Sequence, residues 1–219
     1  MRRMNTVILT GGNIRRDFAL QILKNTFDKI IAVDKGLEFC YENGIMPTNI
    51  VGDFDTLDHE ILEWYRQNTG IEIREYNPVK DATDTQIAVE LALALGSRQI
   101  TILGGTGSRI DHVLGNIQTL YLALKEGAEC VLLDPNNRIR LIQEPFVLRR
   151  EEQYGDYFSL IPLTTDVTGV TLRGVKYPLT DYRFTVLGSG SLGVSNEIDG
   201  EEAEIRMKSG ILILIESRD

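Results

Sequence analysis

The segment IVGDFDT (50–56) closes an apolar run on Gly52 and then sets Asp53 and Asp55 on either side of Phe54. On an extended chain, residues two apart point the same way. Two carboxylates would then face one spot and repel each other unless a cation stood between them. Hard oxygen donors at a strand end suit Mg²⁺, which takes carboxylates, waters and substrate phosphates. The plainer account makes Asp55 a cap for the next helix and Asp53 a turn residue. The glycine and the strand-end position weigh against it.

Other segments carry groups of the same kind. Asp34 ends the run KIIAVD and adds a third carboxylate, although alone it reads as a cap for a helix starting near Leu37. In KDATDTQIAVELALAL (80–95), Thr83 and Gln86 have capping-box spacing, so a helix starts there. Asp84 falls in its first turn, where the helix dipole favours negative charge. Capping leaves Asp81, a second acid on the same loop, unexplained.

The segment GGTGSRIDHVLGNIQTL (104–120) feeds a glycine-rich loop into a helix, an arrangement whose free N–H groups suit anions. It is neither a P-loop nor G-x-G-x-x-G, and Ser108 with Asp111 has capping-box spacing. Arg109, His112 and Asn116 share one polar stripe, and Arg109 can fork onto phosphate oxygens. Ser195 and Asn196 read locally as an ordinary turn, and Tyr177 reads as core more readily than as a ring-stacking residue.

These groups need a scaffold that gathers them. Apolar runs at 6–10, 29–34, 49–54, 71–76, 99–105 and 130–135 alternate with helical patterns, the clearest being Ile110, Val113, Leu114, Ile117, Leu120, Tyr121 and Leu124. Near-continuous Val/Ile/Leu runs are those of strands buried on both faces. The pattern predicts an α/β domain over 1–140, a doubly wound, mainly parallel, six-stranded, Rossmann-like sheet. Over 141–219 the helical patterns stop, and short alternating runs broken by glycine turns predict a smaller all-β, sandwich-like domain. Ligands of doubly wound domains bind beyond the carboxyl ends of the strands. There this chain places mostly acids and glycines: Gly11-Gly12-Asn13, Asp34, Asp53, Asp55, Asn77, Gly104-Gly105 and Asp134.

Composition narrows the class. A net charge of −9 over 219 residues argues against general nucleic-acid binding, which wants a basic face. No window has the apolar length needed to cross a bilayer, and MRRMNTVILTGG lacks the long apolar region of a signal peptide. Cys40 and Cys130, each in apolar surroundings, fit reduced thiols of a cytoplasmic protein.

The ordered set VDKG, VGDFDTL, KDATDTQIAVELAL, GGTGSRIDHVLGNIQTL, FSLIPL, GVKYPL and SLGVSNEI spans almost the whole chain and resembles the thiamine pyrophosphokinase (thiamine diphosphokinase) family. The resemblance implies an α/β domain followed by a β-sandwich-like one, and a homodimer with its active site between subunits. It implies transfer of a diphosphoryl group from ATP to the hydroxyl of thiamine, giving AMP. By motif, Asp53, Asp55 and Asp84 look like Mg²⁺-site residues with Asp34 and Asp81 close by. Arg109, Asp111, His112 and Asn116 fall in the nucleotide segment, and Ser195 and Asn196 in the segment that meets thiamine. Two departures stand out: Thr56 replaces a frequent serine, and GGTGSRIDH is longer than the common Gly-Gly-Arg form.

Phosphoryl transfer asks mainly for positioning and charge neutralisation, which fits acids gathered around Mg²⁺, with Asp81 or Asp84 orienting the hydroxyl. Two rivals remain at this level. DFDTL also matches the D-x-D-x-T of haloacid-dehalogenase-like phosphatases, with Asp53 as nucleophile, although that motif normally sits on the first strand. A non-catalytic nucleotide- or thiamine-binding regulator would use the same pocket without turnover.

Overall fold

The computed structural model describes residues 3–76, 82–188 and 191–219. Asn77 and Asp81 lie outside the described residues. The chain packs as two units, Met1–Pro135 and Asn136–Asp219.

In the first unit, strands β1 (Met4–Leu9), β2 (Lys29–Val33), β3 (Asn49–Gly52), β4 (Glu72–Glu75), β5 (Ser97–Leu103) and β6 (Glu129–Leu133) alternate with helices. These are α1 (Arg16–Ile22), α2 (Gly36–Glu42), α3 (His59–Asn68), α4 (Asp84–Ala94) and α5 (Ile110–Lys125). Neighbours in the order β4-β3-β2-β1-β5-β6 pair in parallel. The chain builds away from β1 on one side through β4, then returns to β1's other side with β5. Strand order therefore reverses at β1/β5, the place where a crevice opens in such sheets.

Both faces of the central strands are covered. Val7 and Leu9 join Ala19, Leu37, Leu62 and Tyr65 in one apolar cluster. Ile8, between them and outside that cluster, is also fully buried, and α4 packs against β1, β2, β3 and β5. Each such Leu or Ile contributes about 1.5–3 kcal/mol by leaving water. The expectation of two-sided burial fails at β4, where Glu72 and Glu75 are exposed and Arg74 pairs with Glu72. Among the described residues this strand has a neighbour on one side only, and charge there discourages further pairing.

The second unit contains β7 (Asn137–Ile142), β8 (Phe146–Arg149), β9 (Tyr157–Pro162), β10 (Asp166–Arg173), β11 (Leu179–Thr185), β12 (Glu202–Arg206) and β13 (Leu212–Ser217). Here β13 pairs antiparallel with β7 and β9, and a four-stranded antiparallel sheet runs β11-β10-β12-β8. β7 lies whole in this unit, where a division at 140 would cut it. The run EIRMKSGILILIE divides into β12 and β13, with Gly210 between them at φ 95°, a conformation other residues rarely adopt. Phe158, Leu160, Val167, Phe184, Ile205 and Leu214 form the core. At the end of β13, the carboxylate of Glu216 is fully buried. It accepts from Arg138 Nε at 2.9 Å, Arg140 at 3.2 Å and the Tyr154 N–H at 2.9 Å.

Candidate active site

A cavity of about 570 Å³ opens at the carboxyl ends of β1, β2 and β5, at the reversal of strand order. Its floor is bare backbone. A β-carbon on Gly12 would stand 2.0 Å from the Gly104 carbonyl oxygen, so the loops after β1 and β5 touch only because residue 12 is glycine. Gly104 also holds φ 80°. Asn116, on the wall of the cavity, is buried, and its Nδ2 donates to the Gly105 carbonyl at 2.9 Å. One arm of this side chain therefore holds the loop in place.

The acids come from two strand ends and one helix start. Asp34 follows β2 with φ 46°, and it lines the cavity together with Asp84 at the start of α4. Its Oδ1 lies where a β-carbon on Gly52 would be, at 2.0 Å. This brings Asp34 beside the start of the Asp53-Phe54-Asp55 segment. That segment is not extended: β3 ends at Gly52, Phe54 has φ 58°, and the Asp55 N–H donates to Asp53 Oδ1 at 3.2 Å. The two-apart argument fails here because the chain turns between the acids. Asp53 and Asp55 are not among the residues lining the cavity, although Thr56 is. The capping account of Asp55 fails too, since Asp58 caps α3 by accepting from the Glu60 N–H at 2.9 Å. Non-glycine residues at positive φ are costly and gather at functional sites. Asp34 and Phe54 fit that rule.

The start of α4 follows the sequence pattern. Thr83 accepts from the Gln86 N–H at 3.2 Å, but the Gln86 side chain turns forward to Glu90, so only half the box forms. The second expected box does not form. Arg109, not Ser108, stands at the cap of α5, with no side-chain cap. Asp111 instead binds Arg109 through two contacts of 3.2 and 2.6 Å and accepts from the His112 N–H. The guanidinium holds the Asp111 carboxyl below its ordinary range, and that carboxylate raises Arg109 in turn. Arg109 and His112 line the cavity, whereas Asp111 is not among its lining residues.

Sequence reasoning placed Asn13 on the ligand edge but gave no site role to Lys35 or Thr56, and all three line the cavity. Lys35 carried a readable signal, a cation next to a strand-end acid in VDKG.

In the second unit, Ser195 is exposed at φ 56°, and its N–H donates to Ser159 Oγ at 3.0 Å. Asn196 is 4% exposed. Its amide grips the backbone of Tyr177 at two points: Oδ1 accepts from the Tyr177 N–H at 3.1 Å, and Nδ2 donates to its carbonyl at 3.0 Å. Tyr177 itself is 55% exposed, so it is not core. A turn-like reading of Ser195-Asn196 missed that this turn presents an aromatic ring.

Among the described residues, no three of His, Cys, Asp and Glu form a metal cage on their own. The donor chemistry nevertheless fits Mg²⁺. Asp34 and Asp84 offer hard oxygens to one cavity, with Asp34 packed onto Gly52, and Mg²⁺ commonly takes one or two carboxylates plus water and phosphates.

Glycine loops, carboxylates and a switch-point crevice in a parallel α/β unit are features shared with nucleotide-binding sites of the phosphate-handling class. Residues 20–132 match the family model described as "Thiamin pyrophosphokinase, catalytic domain", and 146–212 match "Thiamin pyrophosphokinase, vitamin B1 binding domain". The chain is 36% identical to the thiamine pyrophosphokinase of Bacillus subtilis over 86% of its own length and 87% of that protein's. The crystal structure of a thiamine pyrophosphokinase from Bacillus subtilis superposes with TM-score 0.85 at 31% identity, covering 98% of this chain and 99% of that one. The yeast thiamin pyrophosphokinase structure, at 18% identity and TM-score 0.79, covers 99% of this chain and 87% of its own and shares the fold. The chain belongs to the thiamine pyrophosphokinase family.

Proposed function

We propose that this protein is a Mg²⁺-dependent thiamine diphosphokinase, transferring the diphosphoryl group of ATP to the hydroxyl of thiamine and releasing AMP. The observation that carries the reading is the switch-point cavity, where Asp34 and Asp84, both within the segment matched by the catalytic family model, line one cavity with glycine loops. The first unit, doubly wound and Rossmann-like, handles ATP, and the second contributes thiamine contacts.

In the reaction, the thiamine hydroxyl oxygen forms a bond to the β-phosphorus. The bond from that phosphorus to the α,β-bridging oxygen breaks, and its electron pair leaves with AMP. The hydroxyl proton passes to an acceptor, for which Asp84 or Asp81 is the candidate. Bound Mg²⁺ supplies charge neutralisation of the polyphosphate. Asp34, Asp53, Asp55 and Asp84 would hold it. Arg109 and His112 approach the nucleotide, with Asp111 fixing Arg109 and Asn116 fixing the loop. Ser195 and the Asn196–Tyr177 pair form the thiamine side. The cationic thiazolium ring suits an acidic protein.

The placement of the D-x-D after β3 gives no support to the phosphatase alternative. A homodimer and a cytoplasmic location complete the reading. Exposed Ile110, Leu114 and Tyr121 along α5 offer an apolar face for a second copy, and no described helix is long and apolar enough to cross a membrane. Incubation with thiamine, ATP and Mg²⁺ tests the proposal. AMP appearing together with thiamine diphosphate supports it; ADP or free phosphate in place of AMP overturns it.

A further inference from the structure

The cavity must take a polyanion although Asp34 and Asp84 line it, in a chain of net charge −9. Two permanently cationic side chains, Lys35 and Arg109, are among its lining residues. They differ in availability. Arg109 is forked onto Asp111 by two hydrogen bonds, so its charge is largely answered within the protein. Lys35 makes no ion pair or hydrogen bond through its ammonium among the described residues. Its stem starts where β2 ends, with its Cβ 3.5 Å from the position a β-carbon on Gly11 would occupy, beside the glycine loop after β1. An ammonium on a flexible four-carbon stem is a mobile point charge suited to phosphate oxygens.

We propose that Lys35 is the residue that neutralises the triphosphate of the nucleotide in this cavity, ahead of Arg109. This rests on the diphosphokinase reading and adds a residue to it. Lys35 stands at the cap of α2 without a side-chain cap bond and is exposed, so replacing it leaves the fold intact.

The test compares wild type, Lys35→Ala, Lys35→Arg and Arg109→Ala. Steady-state constants are measured for ATP and thiamine, and calorimetric binding for AMP and for α,β-methylene-ATP, which resists cleavage at the bond broken in the reaction. Lys35→Ala is expected to raise the KM for ATP and the Kd of the methylene analogue by roughly tenfold, the scale of one lost charge-assisted contact. AMP binding and the KM for thiamine should move less than about twofold, since neither ligand carries the triphosphate. Lys35→Arg should recover most of the loss, and Arg109→Ala should cost less than Lys35→Ala. Unchanged analogue binding in Lys35→Ala, or an equal loss of AMP affinity, overturns the assignment. Failure of the wild type itself to form AMP from ATP and thiamine would instead count against the functional reading.

Discussion

Asp34 Oδ1 lies 2.0 Å from where Gly52 would carry a β-carbon, so a carboxylate from the end of β2 packs onto bare backbone at the end of β3. The two strands are neighbours, and the missing side chain lets Asp34 lie beside the turn that bears Asp53 and Asp55. Gly52→Ala should therefore push Asp34 away. The expected result is a fall in kcat/KM of more than about tenfold, with about 1–3 kcal/mol lost from overpacking. Kinetics and denaturant unfolding on the same variant check both parts. Full activity in Gly52→Ala would show that the position of Asp34 does not matter.

The proposed metal site can be tested at the two acids that follow β3. Asp53→Ala and Asp55→Ala should each reduce AMP formation by about 100-fold or more, as expected for lost charge stabilisation of a phosphoryl group. Removal of Mg²⁺ with EDTA should abolish turnover, and added Mg²⁺ should restore it in the wild type. Mg²⁺-dependent AMP formation that survives alanine at both positions would remove them from the metal site.

Tyr177 should carry ring binding. Tyr177→Ala is expected to raise the KM for thiamine by about 5–10-fold, the scale of one stacking and cation–π contact, with little change in the KM for ATP. Tyr177→Phe should keep most of the affinity. Asn196→Ala should produce the same thiamine-specific defect with a loss of stability, because its amide holds the Tyr177 backbone.

Much of this was legible beforehand where the cause is local. Thr83 with Gln86 announced α4 because a hydroxyl three residues before an N–H meets it whatever the tertiary context. The same spacing at Ser108 and Asp111 misled, because the helix starts one residue later, with Arg109 at its cap and Asp111 turned to the Arg109 guanidinium. The turn at Phe54 was hidden, since nothing in its residue type requires φ 58°. Tyr177 was misread as core because exposure depends on which strands surround it, which periodicity does not report.

Alkaline pH provides a different check. Burial pushes the Cys40 thiol up to about 12, from an ordinary value of 9.0. A group raised on folding contributes stability that is whole below the unfolded value and is lost as pH rises toward the folded one. Stability should thus decline from about pH 9 toward 12, by up to about 1.4 kcal/mol per pH unit for this thiol. Cys130 is also raised by burial and acts in the same direction. Chemical denaturation across pH 8–11 should show a shallower decline in Cys40→Ala than in wild type. Native Cys40 should also resist alkylation at pH 8.

The second unit rests on a buried ion group. Glu216 is fully buried between Arg138 and Arg140. Glu216→Gln leaves those guanidiniums without their carboxylate and should cost about 3–5 kcal/mol. Thermal unfolding measures it. A loss below about 1 kcal/mol would mean that solvent replaces the carboxylate readily.

The contact between Gly12 and Gly104 limits how this pocket can diversify. Backbone pressed against backbone leaves no room for a side chain, so random mutagenesis of these two positions should return almost exclusively inactive clones. New nucleotide preferences must then arise at the rim, where Asn13, Lys35, Thr56 and His112 can be exchanged without dismantling the floor. A library built there has somewhere to go.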